Sequence, residues 1–181
     1  MDDVTIRPLE GSSARHREAL EALAREVVEA GEMFAYVEVD GVLAYWLDPT
    51  GTAFVAERAD GEVLGTYVVK PNQPGRGDHV ANAGYMVAER ARGRGLGRRL
   101  GEHSLELARS LGFRAMQFNF VVAANPAALA LWRSLGFRCV GTLPRAFRHD
   151  ALGEIDAHVL YRELDAGENP GPPQREGPDS T

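Results

Sequence analysis

The sequence of 181 residues contains one cysteine, Cys139, and no long hydrophobic run. A lone cysteine excludes an intramolecular disulfide and a cysteine-rich metal site. No apolar segment approaches the roughly 20 residues that cross a bilayer, and the acidic first residues lack the apolar core of a signal peptide. We therefore expect a cytoplasmic protein that holds no metal and does not partner with a membrane.

Positive charge is scarce overall but concentrated in one segment. The chain has 20 Lys and Arg against 26 Asp and Glu, a net charge of -6, which argues against general binding of nucleic acid. Residues 90–149 nevertheless contain eleven arginines and two glutamates. A basic centre in an acidic chain indicates a local site for a polyanionic ligand. The alternative is that many of these arginines are only solvated on helix and strand surfaces.

Hydrophobic periodicity and turn residues predict the element order β-α-β-β-β-α-β-α-β-β. Residues 31–51 show no clean period. The order predicts an α/β sheet of mixed strand direction with helices on its faces. The predicted strands cover residues 4–8, 52–56, 63–69, 80–87, 115–122, 137–143 and 155–161. The first predicted helix starts after an N-cap at Ser12 or Ser13 and runs to about Ala30, and the other two cover residues 97–111 and 126–135.

The composition changes at Asp165, after which Gly, Pro, Glu and Ser dominate. Such a segment cannot bury enough apolar surface to fold. We expect a single folded domain over residues 1–164 and a disordered tail over residues 165–181.

A glycine- and arginine-rich segment, residues 92–97, joins a predicted strand to a predicted helix. Glycines let the backbone approach a phosphate closely, and free N–H groups at a helix start favour an anion. No Gly-Lys-Ser/Thr follows, so a Walker loop is excluded. A dinucleotide fingerprint needs a third glycine where Arg98 stands and an acidic residue about 20 positions on, and neither is present. From this motif alone, a flexible turn remains an alternative to a phosphate site.

Two motifs in the correct order resemble the GNAT superfamily of acetyl-CoA-dependent N-acetyltransferases. The family's phosphate motif, Gln/Arg-x-x-Gly-x-Gly/Ala, is matched by Arg92, Gly95 and Gly97. The segment from Asn125 to Phe137 is similar to the family's Asn-x-x-Ala-x-x-Leu-Tyr-x-x-x-Gly-Phe. The resemblance covers roughly residues 4–164. It implies a mixed, mostly antiparallel sheet that is splayed at its centre, between strands 80–87 and 115–122, with helices on both faces.

The resemblance implies acetyl-CoA as co-substrate and assigns residues to its parts. Asn125 should hydrogen-bond the pantetheine while it caps a helix. Trp132 stands where the family usually has Tyr, the acid that protonates the leaving thiolate. An indole N–H cannot act as an acid near pH 7, so another group serves or none is needed, and we interpret Trp132 as an aromatic of the core. Backbone groups of Met86 and Val87 should contact the pantetheine, and the pyrophosphate should bind at Arg92, Gly93, Arg94, Gly95, Leu96, Gly97 and Arg98.

Two asparagines, Asn82 and Asn119, interrupt otherwise apolar strands. An amide in such a place is costly unless it is hydrogen-bonded, so each is either a structural residue or part of the acceptor site, with a role in catalysis. The local pattern resembles fungal L-azetidine-2-carboxylate N-acetyltransferases, whose substrate-binding asparagines fall at these two positions. Residues 141–149 depart from that subfamily. His79 and His149 are candidates for the base that deprotonates the acceptor amine.

Together these patterns predict an N-acetyltransferase that transfers the acetyl group to the nitrogen of a small amine or imino acid by direct attack on the thioester. Three alternatives stay open: a non-catalytic CoA-binding regulator, an acetyltransferase of a peptide or antibiotic amine, and a nucleic-acid-binding module. The last would need exposed aromatics beside the arginines, and the aromatics here lie in core-like strands. The sequence leaves the oligomeric state open, with a homodimer as one option.

Overall fold

Seven strands and four α-helices alternate along residues 3–164, the part of the chain that the computed structural model describes. The proposed tail, residues 165–181, lies outside these described residues. None of the described helices is long and apolar enough to cross a membrane. The helices are α1 (Ala14–Ala30), α2 (Val39–Trp46), α3 (Leu96–Ser110) and α4 (Pro126–Ser134). The strands are β1 (Val4–Pro8), β2 (Thr52–Arg58), β3 (Val63–Pro71), β4 (Val80–Val87), β5 (Ala115–Val122), β6 (Arg138–His149) and β7 (Gly153–Glu163).

The strands form one sheet in the order β1-β2-β3-β4-β5-β7-β6. All neighbouring strands are antiparallel except β4 and β5, which run parallel. This parallel pair is registered only at Val80–Ala115 and Ala81–Met116. Beyond that point β4 and β5 separate, so the expected mixed, mostly antiparallel sheet with a central splay is confirmed.

A bulge in β5 accompanies the separation. Phe118 pairs with Leu160 of β7, but the next registered pair is Val121 with His158. Residues 119 and 120 therefore lie opposite one residue of β7, and such an insertion bends a strand and increases its twist. The gap between β4 and β5 opens at this bulge.

Helices cover both faces of the sheet, as expected. A Cβ atom placed on Gly84 of β4 would lie 3.1 Å from Tyr45 of α2, and one placed on Gly65 of β3 would lie 3.1 Å from Leu100 of α3. Gly84 pairs with Val68, three residues from Gly65 along β3. An odd separation along a strand puts two residues on opposite faces. We call these faces the α2 face and the α3 face.

The helix ends follow the signals in the sequence. Ser13 accepts a hydrogen bond from the N–H of His16 at the start of α1, and Gly31 ends this helix with a φ of 60°. Asn125 accepts from the N–H of Ala128 at the start of α4. Side-chain caps and a left-handed glycine satisfy backbone groups that have no partner inside a helix, which makes these boundaries predictable.

Two elements differ from the sequence-based expectation. Helix α2 occupies part of the segment without a clean period; it has eight residues and no side-chain cap, and it is stabilised by burial of Val42 and Trp46. Strand β6 continues past Pro144, where the strand was expected to stop. Proline is tolerated there because β6 is an edge strand with a register shift between Leu143 and Phe147.

Candidate active site

A cavity of about 500 Å³ opens where β4 and β5 separate. Its walls come from the second half of β4, the bulged part of β5, the loop before α3, helix α4 and the loop before α2. Phe34 of the last loop packs edge-on against Trp46, with ring centroids 5.8 Å apart, so it lies on the α2 face. Trp132 packs against Tyr85 and Phe118, on the α3 face. The cavity therefore passes through the sheet and reaches both faces.

The loop before α3 presents a row of free backbone N–H groups. Within residues 3–164, the N–H groups of residues 93–95 make no backbone hydrogen bond, and those of residues 96–98 lie in the first helical turn, which has no partner inside the helix. Gly93 and Gly95 have φ of 71° and 82°, and a Cβ placed on either would meet nothing within 4 Å. The backbone N–H groups here are unpaired in the described chain and the glycines are not covered by neighbouring atoms, as an anion site requires.

Two arginines give this loop its countercharge. Arg92 and Arg98 both line the cavity. The Nε of Arg92 donates to the carbonyl of Val87 at 3.2 Å, and Arg98 donates to the hydroxyl of Ser134 at 2.7 Å. Arg94 and Leu96 are not among the lining residues, and the side chain of Leu96 is buried in the core. Their contribution to anion binding is limited to their N–H groups.

The three residues expected to contact the pantetheine differ in which of their groups can reach a ligand in the cavity. Val87 lines the cavity, but its carbonyl already accepts from Arg92. The side chain of Met86 is fully buried, so Met86 can reach a ligand only through its backbone. Asn125 lines the cavity and caps α4 through its Oδ1. Its Nδ2 has no hydrogen-bond partner in the described part of the chain, so capping and ligand binding are compatible.

Trp132 lies at the cavity wall and in an aromatic cluster. Its ring is 8% exposed, and its centroid lies 4.7 Å from those of Tyr85 and Phe118. We find no partner for its Nε1 among residues 3–164. Trp132 therefore packs in the core and also contacts the cavity.

Asn82 and Asn119 do not line the cavity, and the structure corrects one premise about Asn119. This residue is exposed at the bulge rather than embedded in an apolar strand. It belongs to a chain of amides: Gln117 donates to Asn119 at 2.7 Å, and Asn119 donates to Asn72 at 2.6 Å. Asn82 accepts from the N–H of its neighbour Ala83 at 2.8 Å. Catalytic roles for the two asparagines remain predictions.

Sequence reasoning missed a charged cluster on the α2 face. Lys70 lies 3.1 Å from Asp48 and 3.8 Å from the ring centroid of Tyr45. Burial, reinforced by the nearby Tyr36 and Asp48, raises the pKa of Tyr45 to about 12. Hydrogen bonds from the side chain and backbone of Thr50, and then from Lys70, lower the pKa of Asp48 to about 2. The one available signal was that Lys70 is the only lysine in the chain.

The cavity offers no evident protein base. The charged residues among those described as lining it are Arg92 and Arg98. Tyr85 also lines it, but burial raises the pKa of its phenol, and the hydroxyl is held 2.7 Å from Ser104. His149, the last residue of β6, accepts from the N–H groups of Ala151 and Leu152, so its ring is engaged in the turn that leads to β7. His79 is exposed and outside the cavity. Over residues 3–164, no three His, Cys, Asp or Glu residues are grouped to hold a metal ion.

Comparison with known proteins identifies relatives of this architecture. The N-acetyltransferase aca1 of Schizosaccharomyces pombe is 37% identical over 100 residues, which are 54% of this chain and 47% of that protein. The chain thus spans about half the length of this curated relative.

Solved structures agree with the fold. A GCN5-related N-acetyltransferase from Kribbella flavida is 43% identical, with a TM-score of 0.84 over 90% of this chain and 99% of that one. A GNAT superfamily phosphinothricin acetyltransferase from Sinorhizobium meliloti, solved in complex with AcCoA, has a TM-score of 0.76 at 21% identity, over 98% of this chain and 97% of that one. At that identity the second likeness concerns the fold alone.

The family assignment comes from a match over most of the domain. A model of the Acetyltransferase (GNAT) family matches residues 17–137, a range that includes the gap between β4 and β5, the loop before α3 and helix α4. This chain belongs to the Acetyltransferase (GNAT) family.

Proposed function

We propose that this protein transfers the acetyl group of acetyl-CoA to the nitrogen of a small amine or imino acid. The cavity through the sheet carries the proposal, because its lining runs from the loop before α3 on one face to Met33 and Phe34 on the other. An acyl donor and an acceptor can then meet in the gap from opposite sides. We assign the activity to residues 1–164.

The α3-face end of the cavity fits CoA, which supplies an acetyl group activated as a thioester. The N–H groups of residues 93–98, with Arg92 and Arg98, would hold its pyrophosphate. Asn125 would donate to the pantetheine through Nδ2. From Asn82 onwards, the side of β4 that faces β5 has no ladder partner in the described chain. The N–H of Ala83 and the carbonyl of Val87 have side-chain partners, and the remaining backbone groups on this side would be available to the pantetheine amides.

The proposed reaction requires no acid or base from the side chains in the gap. The amine nitrogen attacks the carbonyl carbon, and the proton it loses passes to water, since the lining residues include no carboxylate or imidazole. A backbone N–H of β4 at the splay stabilises the developing oxyanion. The thiolate leaves without an acid at position 132, and Trp132 packs beside it.

The α2-face end is where we place the acceptor. Asn82, Asn119 and their amide partners supply donors and acceptors there, and Phe34 and Phe120 add apolar walls at the gap. A compact molecule with an apolar ring and polar substituents matches this surface better than a long peptide does.

Acceptor-dependent thiol release tests the proposal. The full chain is incubated with acetyl-CoA and a panel that contains azetidine-2-carboxylate, proline analogues, simple amines, a peptide and an aminoglycoside, and products are weighed by mass spectrometry. We expect release of CoA and an acetylated product with a small amine or imino acid. Turnover of only the peptide or the aminoglycoside would show that the acceptor is not a small amine or imino acid. CoA binding without turnover of any acceptor would favour a non-catalytic regulator.

Alanine substitutions test the acceptor residues. Asn82→Ala and, separately, Asn119→Ala should lower kcat/KM for the acceptor by about 1–3 kcal/mol of transition-state binding, with little change in acetyl-CoA affinity. A purely structural role predicts a lower Tm with normal kinetics of the folded fraction. Unchanged acceptor kinetics in both variants would refute the assignment.

A further inference from the structure

Lys70 and Asn82 face each other on the α2 face of the sheet. They are directly registered partners on β3 and β4, and directly opposite residues of an antiparallel pair project from the same face within side-chain reach. Lys70 is the only lysine in the chain, and its side chain is 17% exposed. A lysine that is largely withdrawn from solvent, opposite a partly buried amide, is an unusual pairing that packing alone does not require.

The position of the ammonium is fixed by two contacts. Its Nζ lies 3.1 Å from the Oδ2 of Asp48 and 3.8 Å from the ring centroid of Tyr45. Asp48 is itself held, since its Oδ1 accepts from the N–H and the hydroxyl of Thr50. An ammonium has three N–H donors. One points to Asp48 and one is directed at the aromatic ring, and the third has no partner among residues 3–164.

Asn82 offers a second donor with a fixed direction. Its Oδ1 accepts from the N–H of Ala83 at 2.8 Å, which fixes the orientation of the amide. We find no hydrogen bond from this Nδ2 to the described residues. Two paired positions on one face therefore each keep a donor.

These donors lie next to the gap. The ring of Tyr45 that contacts Lys70 also covers Gly84, where a Cβ would lie 3.1 Å from its Cε1, and Gly84 lines the cavity. Further polar groups come from the hydrogen-bonded amides of Gln117, Asn119 and Asn72. The ring of Tyr45 thus contacts both the ammonium of Lys70 and Gly84 in the wall of the cavity.

We propose that Lys70 and Asn82 form a carboxylate subsite, and that Lys70 selects acceptors that carry a carboxylate close to the reacting nitrogen. This inference rests on the proposed function. A carboxylate has two oxygens, which can accept from the ammonium and from the amide together, and the bond to the ammonium is charge-assisted. The occupant is a free amino or imino acid; a polyamine would bring a second positive charge to Lys70, and a peptide acceptor would lack a carboxylate beside its nitrogen.

The test compares azetidine-2-carboxylate with azetidine, which differ only in the carboxylate. The ratio of their kcat/KM values is measured for the wild type and for Lys70→Met, which keeps the length of the side chain and removes its charge. We expect the ratio to fall by about ten- to hundredfold, mainly through the KM of azetidine-2-carboxylate. Lys70→Arg should retain most of the ratio. If Lys70→Met fails to fold, Lys70→Gln is measured with the same expectation.

The outcomes separate this inference from the proposed function. Equal losses with both acceptors in Lys70→Met, or no loss with either, would overturn the carboxylate subsite. A wild type that acetylates azetidine as efficiently as azetidine-2-carboxylate would also overturn it, while leaving the acetyltransferase proposal intact. A wild type that releases CoA with no amine at all would contradict the proposed function itself.

Discussion

At the scale of single residues, ring contacts hold Trp132 in the wall of the cavity on the α3 face. The ring is wedged between Tyr85 and Phe118, with centroids 4.7 Å from each. Aromatic pairs at this spacing contribute beyond the area that they bury. The indole can donate a hydrogen bond but has no proton to give near pH 7, so we expect Trp132 to act through its shape.

Trp132→Phe tests that statement. It keeps an aromatic ring and removes the N–H, so we expect the rate of acetyl transfer to fall by less than about tenfold, roughly 1.4 kcal/mol, with a modestly lower Tm from the smaller ring. The rate is followed by thiol release and the Tm by calorimetry. A thousandfold loss in a variant with normal Tm would show that the indole N–H takes part in the chemistry.

The pH dependence of the reaction should belong to the acceptor. No carboxylate or imidazole is among the described residues that line the cavity, and burial raises the pKa of Tyr45 to about 12, so its phenol stays neutral below pH 10. The lowered pKa of Asp48, about 2, keeps its pair with Lys70 ionised until the pH falls toward that value. Between pH 6 and 9, kcat/KM should rise with the deprotonated fraction of the amine.

The measurement is a pH profile for two acceptors whose nitrogens have different pKa values. The inflection should move with the acceptor. An inflection fixed at one pH for both acceptors would reveal a protein base and contradict the proton transfer to water.

At the scale of elements, we predict that the start of α3 carries the affinity for CoA. Gly95 precedes this helix with a φ of 82°, and Gly112 follows it with a φ of 85°; a Cβ on either meets nothing within 4 Å. The two positions therefore impose similar backbone strain on any other residue, but only Gly95 lines the cavity.

Gly95→Glu and Gly112→Glu form a matched pair. Both should lower the Tm by similar amounts. Only Gly95→Glu should weaken acetyl-CoA binding, by tenfold or more, because its side chain and charge occupy the place of the pyrophosphate. Titration calorimetry gives the affinities. Equal affinities in the two variants would remove the loop from the binding site.

Helix α2 shapes the acceptor end because Gly84 lets it approach the sheet. A Cβ at Gly84 would lie 2.9 Å from Trp46 and 3.1 Å from Tyr45, whereas one at Gly141 of β6 would lie 4.0 Å from its nearest neighbour, Val159. Gly84→Ala should cost about 1–3 kcal/mol of stability and raise KM for the acceptor, since Tyr45 must move. Gly141→Ala should change neither.

The comparison requires KM for both substrates in both variants. A rise confined to the acceptor supports the placement of the two substrates on opposite faces. A larger rise for acetyl-CoA than for the acceptor in Gly84→Ala would contradict it.

At the scale of the whole molecule, one parallel strand pair in an otherwise antiparallel sheet creates the site. The ladder between β4 and β5 ends at Ala81 and Met116, and the bulge at residues 119 and 120 bends β5 away. The gap that results lets two ligands approach from opposite faces of the sheet. No residue of the sequence encodes this gap alone, since it depends on the register of three strands.

Features that depend on local sequence could be predicted, whereas features that depend on contacts between distant segments could not. The caps Ser13 and Asn125 and the glycines of the loop before α3 act locally, so their helices and the open glycine loop could be predicted, and anion binding there stays a prediction. Helix α2 has no cap and depends on burial of Trp46, and the cluster of Lys70 with Asp48 joins residues 22 positions apart. Contacts of this kind form only in the folded chain.

The most direct test of the account is a crystal structure of the protein with CoA and azetidine-2-carboxylate, a pair that cannot react. We predict the pyrophosphate at the N–H groups of residues 93–98, the thiol in the gap between β4 and β5, and the acceptor on the α2 face with its nitrogen directed at the thiol. CoA bound away from the loop, or both ligands on one face of the sheet, would contradict the proposal that the cavity is a passage through which the acetyl group is transferred.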